Sequence, residues 1–316
     1  MALTALQLVD RAYSELAIGQ APTTVIGNSN LDVTQFLNLA NGLGNDLMRE
    51  WDWQRLSTEY RFTTVYYQYT ATVTSGSTTL SALSSTTGLT STPTYFMVTG
   101  SGIVQDTYLV SVNSGASTAV ISNAATVSGT TVTLTFGQVM YAMPSDYDRI
   151  TPDTEWDKTN RWVIIGPNTG QQWQWLKSST IATGPRARYR ILGGLFQIYP
   201  AQSAALRYGM EYISNNWVIA SGGTTPSKTK FTVDTDTCIY DDQLMVESLK
   251  LRFRRESGFP VGTYPAADLA TGFNGRLLNI AKTADASAPK LSMSPRRSGY
   301  IIGTANIQDG YFNVTP

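Results

Sequence analysis

The sequence predicts an α+β protein in which helices from both chain ends complete one bundle around a long strand-rich middle. Three observations carry this. Apolar residues recur at helical spacing up to Trp51 and again after Cys238. The tract between them is rich in Thr, Ser, Gly and Tyr, with apolar positions that alternate. From Thr64 to Met140 the only charged side chain is Asp106, so the solvent face of that tract must be coated with hydroxyls.

Residues 1–63 hold the first two helices. From Thr4, apolar Leu6, Val9, Tyr13, Leu16 and Ala17 follow helical spacing; Gln7 completes a capping box with Thr4, and Gly19 with Pro22 stops the run. After a turn signal at Gly27 to Asn30, Phe36, Leu39, Ala40, Leu43, Leu47, Met48 and Trp51 form a second stripe, with Asn30 or Asp32 as cap. Gly42 and Gly44 weaken this helix or admit another backbone.

Residues 64–140 read as a β insert with turns at Ser75-Gly76, Gly100 to Gly102, Ser114-Gly115 and Ser128-Gly129. The run Thr130 to Phe136 sets Val132, Leu134 and Phe136 against threonines, the pattern of a half-buried strand. Strand spacing and length suggest an immunoglobulin-like sandwich. Residues 141–237, richer in Trp, Arg and Asp, are expected to form a separate β-barrel or sandwich, with strands at Ala187 to Leu192, Phe196 to Tyr199 and Leu206 to Ile213.

Residues 238–285 return to helical patterning. Asp241 and Asp242 precede Leu244, Met245, Leu249 and Phe253, and Gly258 with Pro260 ends that helix. A fourth helix is expected from Pro265, with Leu269, Phe273, Leu277, Ile280 and Ala281 on one face. Four amphipathic helices, two from each end, are most economically buried as a discontinuous four-helix bundle. Residues 286–316 combine prolines, glycines and Arg296-Arg297 with Tyr300, Ile301, Ile302, Ile307, Tyr311 and Phe312. That mixture reads as an extended docking arm; the alternative is a tail folded back on its own domain.

Composition narrows the chemistry. Lys+Arg and Asp+Glu are equal at 23 each, so no net field draws the chain to DNA or to acidic membranes. No stretch approaches the roughly 20 apolar residues of a membrane span, and Asp10, Arg11 and Glu15 stand where a signal peptide would be apolar. With no histidine and a single cysteine, Cys238, neither a Ser-His-Asp triad, a usual zinc site nor an internal disulfide can be built. Cys238 is expected as a small buried apolar residue. No cofactor is expected.

Asp146, Asp148, Asp153, Glu155 and Asp157 are the densest acidic run. Asp153, Glu155 and Asp157 match the start of a calcium loop, but Lys158 and Ile164 occupy the places that need glycine and an acid. With Trp156, Trp162, Trp173 and Trp175 nearby, paired carboxylates in a sugar groove are the enzymatic alternative. Against it, Trp173 and Trp175 lie two apart, as on one strand face, and such aromatics more often fill cores or subunit contacts. Arg186, Arg188 and Arg190 would share a strand face, and Lys250, Arg252, Arg254 and Arg255 crowd a helix. Solvated faces or ion pairs between subunits suit them better than DNA phosphate.

Tyr141-Ala-Met-Pro-Ser-Asp-Tyr-Asp-Arg-Ile, Asp153-Thr-Glu-Trp-Asp and Gln172-Trp-Gln-Trp-Leu resemble the central region of head-to-tail adaptor (connector) proteins of short-tailed bacteriophages, the tail tubular protein A type. The start of the chain, with Ala17-Ile-Gly-Gln-Ala-Pro, Trp51 and Trp53, is similar to the start of that family. The strand-rich insert departs from its compact members. The resemblance implies a virion structural protein, made in the host bacterial cytoplasm and located at the head-tail interface. It implies a homo-oligomeric ring, commonly a dodecamer, beneath the portal protein. The tail nozzle, with tail fibres, would be its other partner, and double-stranded DNA would pass without sequence-specific binding and without membrane contact. The helical bundle would meet the portal and neighbouring subunits, and the β-block the tail. On that reading Arg252, Arg254 and Arg255, together with Arg296, Arg297, Tyr300, Ile301, Ile302, Tyr311 and Phe312 of the arm, contact portal or subunit. Two rivals remain, a capsid-decoration or receptor-binding module and a virion-associated glycan hydrolase.

Overall fold

Thr4 caps the first helix as the sequence predicts: its hydroxyl accepts from the Gln7 N–H at 3.3 Å, and Gln7 returns a bond to the Thr4 N–H at 3.0 Å. The computed structural model describes residues 2–90, 96–178 and 186–256. The elements run α1 (Ala5–Glu15), α2 (Leu31–Glu50), a single 3-10 turn at Gln54–Leu56 and β1 (Ser57–Thr63). The insert contributes β2 (Tyr66–Val73), β3 (Thr79–Leu80), β4 (Phe96–Gly100), β5 (Leu109–Asn113), β6 (Thr118–Ile121) and β7 (Gly129–Gln138). Then follow β8 (Met140–Ala142), β9 (Tyr147–Ile150), β10 (Trp156–Asp157), β11 (Trp162–Val163), α3 (Gly170–Ser178), β12 (Arg188–Leu192), β13 (Leu195–Tyr199) and β14 (Arg207–Ser214). The last described elements are β15 (Val218–Ile219), β16 (Pro226–Lys228), β17 (Thr237–Cys238) and α4 (Asp242–Glu256). The protein is thus a mixed α+β chain, with four α-helices and several antiparallel sheets among the described residues, none of these sheets closed into a barrel.

The chain divides into two units. The first gathers the residues up to Thr58, Asp146–Ile150 and the described chain from Tyr212 onward. Its core joins α1, α2 and α4 through Leu8, Ala12, Phe36, Ala40, Leu43, Leu47, Leu244, Met245 and Leu249, with Trp53 and Trp217 fully buried among them. Phe253 stacks on Phe36 with ring centroids 4.4 Å apart. Asn30 caps α2 by accepting from the Asp32 N–H at 2.9 Å, and Asp241 caps α4 by accepting from the Leu244 N–H at 3.0 Å. The buried stripe of α1 is Ala5, Leu8, Val9, Ala12 and Tyr13, rotated from the expected one, so Leu6 and Leu16 lie at its margin. The helix expected from Pro265 and the arm 286–316 lie outside the described residues.

In the same unit a small sheet, β16-β15-β17, is organised by Asp236. Its fully buried carboxylate accepts from the Thr232 and Val233 N–H groups at 2.9 and 3.0 Å, from Ser221 N–H at 3.2 Å, and from the Lys228 ammonium at 2.8 Å. The carbonyls of Asp236 and Asp234 accept from the Ala5 and Leu6 N–H groups, so this loop satisfies donors that the first turn of α1 leaves open.

The second unit comprises Glu59–Ser145 and Thr151–Glu211 among the described residues. Its insert holds two three-stranded antiparallel sheets, β2-β7-β4 and β3-β6-β5, joined at their edges by the single bridges Thr72↔Ser81 and Met97↔Tyr108. Leu134 and Phe136 of β7 are fully buried, and Val98, Leu80, Leu109 and Ile121 meet them, as the alternation predicts. Of the barrel or sandwich expected over 141–237, the barrel is not formed by the described residues. Its short strands fall into separate sheets, including β12-β13-β8, in which Gly193 and Gly194, both at positive φ, make the tight turn between β12 and β13.

Trp173 and Trp175 correct the strand expectation, because they belong to α3. Thr169 and Gln172 form a second capping box: the Gln172 N–H donates to the Thr169 hydroxyl at 3.3 Å, and the Gln172 side chain accepts from the Thr169 N–H at 3.1 Å. Helical geometry turns Trp173 and Leu176 inward and leaves Trp175 57% exposed.

Candidate functional site

The acidic and aromatic segment from Tyr141 to Asp157 is where chemistry is densest in the sequence, and Tyr141, Asp146, Asp148, Arg149, Glu155 and Asp157 there each have a structural partner. Tyr141, on β8, sits at the neck of the insert. Its hydroxyl accepts from the Val65 N–H at 3.0 Å and donates to the Gln138 carbonyl at 3.0 Å, tying the incoming chain to the outgoing one. Thr64 reinforces the neck by donating its N–H to the Leu206 carbonyl and its hydroxyl to the Ala204 carbonyl, both at 2.8 Å.

Asp146 accepts from the Tyr212 hydroxyl at 2.9 Å and the Ser214 hydroxyl at 2.7 Å, fixing the register of β9 on β14. Arg149 grips the end of α2. Its guanidinium donates twice to the Asp52 carboxylate, at 2.9 and 2.8 Å, and also to the Met48 and Trp51 carbonyls at 3.0 and 3.1 Å. It thereby satisfies carbonyls that the helix leaves unpaired, with the sign of charge the helix dipole favours there. Asp148 completes the arrangement by accepting from Arg149 at 2.8 Å.

Asp153 and Glu155, the carboxylates of the glycoside reading, part ways: Asp153 is exposed, whereas Glu155 and the neighbouring Asp157 are only 2% and 4% exposed. Glu155 accepts the Tyr189 hydroxyl, and burial raises its pKa although that hydrogen bond opposes the rise. Asp157 caps a turn by accepting from the Thr159 and Asn160 N–H groups at 2.9 and 3.1 Å. Trp156 pairs with Val163 and Asp157 with Trp162 across β10 and β11, so the two tryptophans project from opposite faces and do not line one groove. Among the described residues no group of three His, Cys, Asp or Glu side chains is placed to hold a metal ion.

The cationic residues are dispersed. On α4, Lys250 pairs with Glu15 and Arg252 with Asp46 at 2.7 Å, while Arg254 is half-buried and Arg255 exposed. Arg188 and Arg190 on β12 are half-buried. Arg296, Arg297, Tyr300, Ile301, Ile302, Tyr311 and Phe312 lie outside the described residues. Cys238 is buried, with its thiol pushed up to about 12 by burial first of all. No described helix is long and apolar enough to cross a membrane.

Sequence reasoning missed the work of Tyr141 and Arg149, which reach Val65 and the end of α2 far along the chain, and that of Asp236, whose side-chain partners are near in sequence but carry no motif. It also missed α3, although the Thr169-x-x-Gln172 signature announces it. No protein-family model matches the chain, and no curated protein matches its sequence.

Proposed function

We propose that this chain is a virion structural protein, a ring adaptor between portal and tail nozzle that surrounds the path of exiting DNA, and that it has no catalytic role. The observation that carries this reading is the engagement of the Asp146, Asp148, Glu155 and Asp157 carboxylates in folding. Of the acids weighed for glycoside hydrolysis, Asp153 is exposed, but Glu155 and Asp157 on either side of Trp156 are sealed from solvent, bonded to Tyr189 and to the backbone of Thr159 and Asn160, so Asp153 has no accessible acid partner among them. A general acid and base must instead reach substrate. The same segment carries the resemblance to head-to-tail adaptors, and a junction of this kind suits a scaffold.

A closed ring repeats one heterologous contact around its axis, and exposed apolar side chains such as Leu31 and Trp175 suit such contacts. In this proposal the helix from Pro265 completes the bundle, the immunoglobulin-like insert projects as an added module, and the arm 286–316 interlocks with portal or neighbour. The insert has a core of its own, which favours capsid decoration or receptor binding as the second reading.

Copy number in purified virions relative to portal protein, by quantitative mass spectrometry, tests the proposal. Parity supports the adaptor. Hundreds of copies favour decoration, and absence from virions overturns a structural role.

A further inference from the structure

Asp106, the single charge of the insert, lies at a seam rather than on an open face. We propose that the loop carrying Gln105 and Asp106 is a latch that holds the insert against α3 and β13, and that releasing it lets the folded insert swing on its neck. This inference is independent of the adaptor reading.

The latch has two prongs. Gln105 donates through Nε2 to the Tyr199 hydroxyl of β13. Asp106 Oδ1 lies 3.4 Å from the Lys177 ammonium in the last turn of α3, and that ammonium also sits 4.8 Å from the centre of the Tyr108 ring. Lys177 is only 17% exposed in this position. Asp106 Oδ1 is itself buried without a hydrogen bond, so the ammonium reaches it by charge and proximity, while the hydrogen bond that the Asp106 carboxylate does make is to Tyr108 within the insert. Such a contact is weaker than a hydrogen-bonded pair and therefore easier to release.

The apolar part of the seam is small. It consists of Met97, Val139, Trp173, Leu176 and Tyr199, with Tyr108, Met140 and Ala201 at its edge. Only Met97 and Tyr108 come from the strands and loops of the insert ahead of β7, whereas its own core holds Leu80, Val98, Leu109, Ile121, Leu134 and Phe136 among others. Burial of that size keeps the insert folded whether or not the seam is closed. The Tyr141 hydroxyl bridges both chains of the neck and keeps the pivot intact when the latch opens.

Methionine oxidation in the full chain tests the proposal. Met97 is 3% exposed in the seam, while Met48, Met210 and Met245 are equally buried elsewhere. Asp106→Asn keeps a side chain that tolerates the left-handed backbone here, φ 59, and removes the charge. Lys177→Met keeps the apolar stem. Each variant is expected to raise the peroxide oxidation rate of Met97 about 3- to 10-fold, and the double variant no further, as for two partners of one contact. Met48, Met210 and Met245 should keep their rates, and amide exchange at Leu134 and Phe136 should stay slow. An unchanged Met97 rate, additive effects of the two substitutions, or loss of protection at Leu134 and Phe136 would each overturn the latch.

Discussion

Trp217 occupies the space a side chain on Gly44 would need: a Cβ there would fall 2.2 Å from the indole Cζ2. Gly44 lies within α2, where glycine normally costs about 1 kcal/mol relative to alanine. Here the missing methyl lets a fully buried indole, which donates to Asn45 at 3.0 Å and meets Phe231 edge-on, reach the helix backbone. Gly44→Ala is therefore expected to lower stability despite its helix propensity, with overpacking outweighing the gain by about 1–2 kcal/mol. Urea unfolding checks this. A neutral or stabilising result would mean that Trp217 shifts freely.

Asp236 makes the first unit sensitive to acid. Burial opposes its charge, but Lys228 and the Thr232 and Val233 N–H groups outweigh burial and hold its pKa below the ordinary 3.8. A depressed folded pKa gives stability that is present above the unfolded value and lost as pH falls through the folded one. The loss is thus expected below about pH 4. Asp236→Asn should flatten that acid limb and cost about 1–3 kcal/mol at neutral pH, read by thermal melting across pH.

Glu155 has the opposite sign. Burial raises its pKa, so the folded state prefers the protonated acid, and this residue's contribution to stability falls as pH rises through the folded value. Glu155→Gln keeps an acceptor for the Tyr189 hydroxyl and is expected to be neutral or mildly stabilising at pH 7. If polysaccharide cleavage were found and this variant abolished it without changing assembly, the hydrolase reading would replace the scaffold one.

Arg149→Lys should lose the paired contact to Asp52 and one or both helix-end carbonyls, because an ammonium cannot reproduce the guanidinium fork. The expected cost is about 1–3 kcal/mol. A double-mutant cycle with Asp52→Ala should show strong coupling, and additivity would assign the stabilisation to the carbonyls alone.

Tyr141→Phe removes the hydroxyl that joins Val65 to Gln138 at the neck of the insert. About 1–2 kcal/mol should be lost, because the Val65 N–H is left without its acceptor. Proteolytic nicking at the neck, with the core of the insert intact, is the expected signature.

Local chemistry was legible where the partners are close in sequence. Thr4 with Gln7, Asn30 with Asp32, and the alternation of Leu134 and Phe136 needed only a few neighbouring residues to be read. Trp173 and Trp175 were misread for a related reason: spacing of two looks like a strand unless the capping box ahead of them is weighed first. Of the candidate site, the acidic run was visible, but the direction of each carboxylate was not.

By itself, then, the sequence determined three helices with their caps, a β insert carrying a single charge and a half-buried strand, and the absence of histidine chemistry. Only the tertiary structure decided that Gly44 receives an indole, that Asp106 sits against Lys177, and that Glu155 and Asp157 turn inward. Capping and periodicity act within a few residues along the chain. The partners of a buried carboxylate or a missing Cβ are brought together only when distant segments pack.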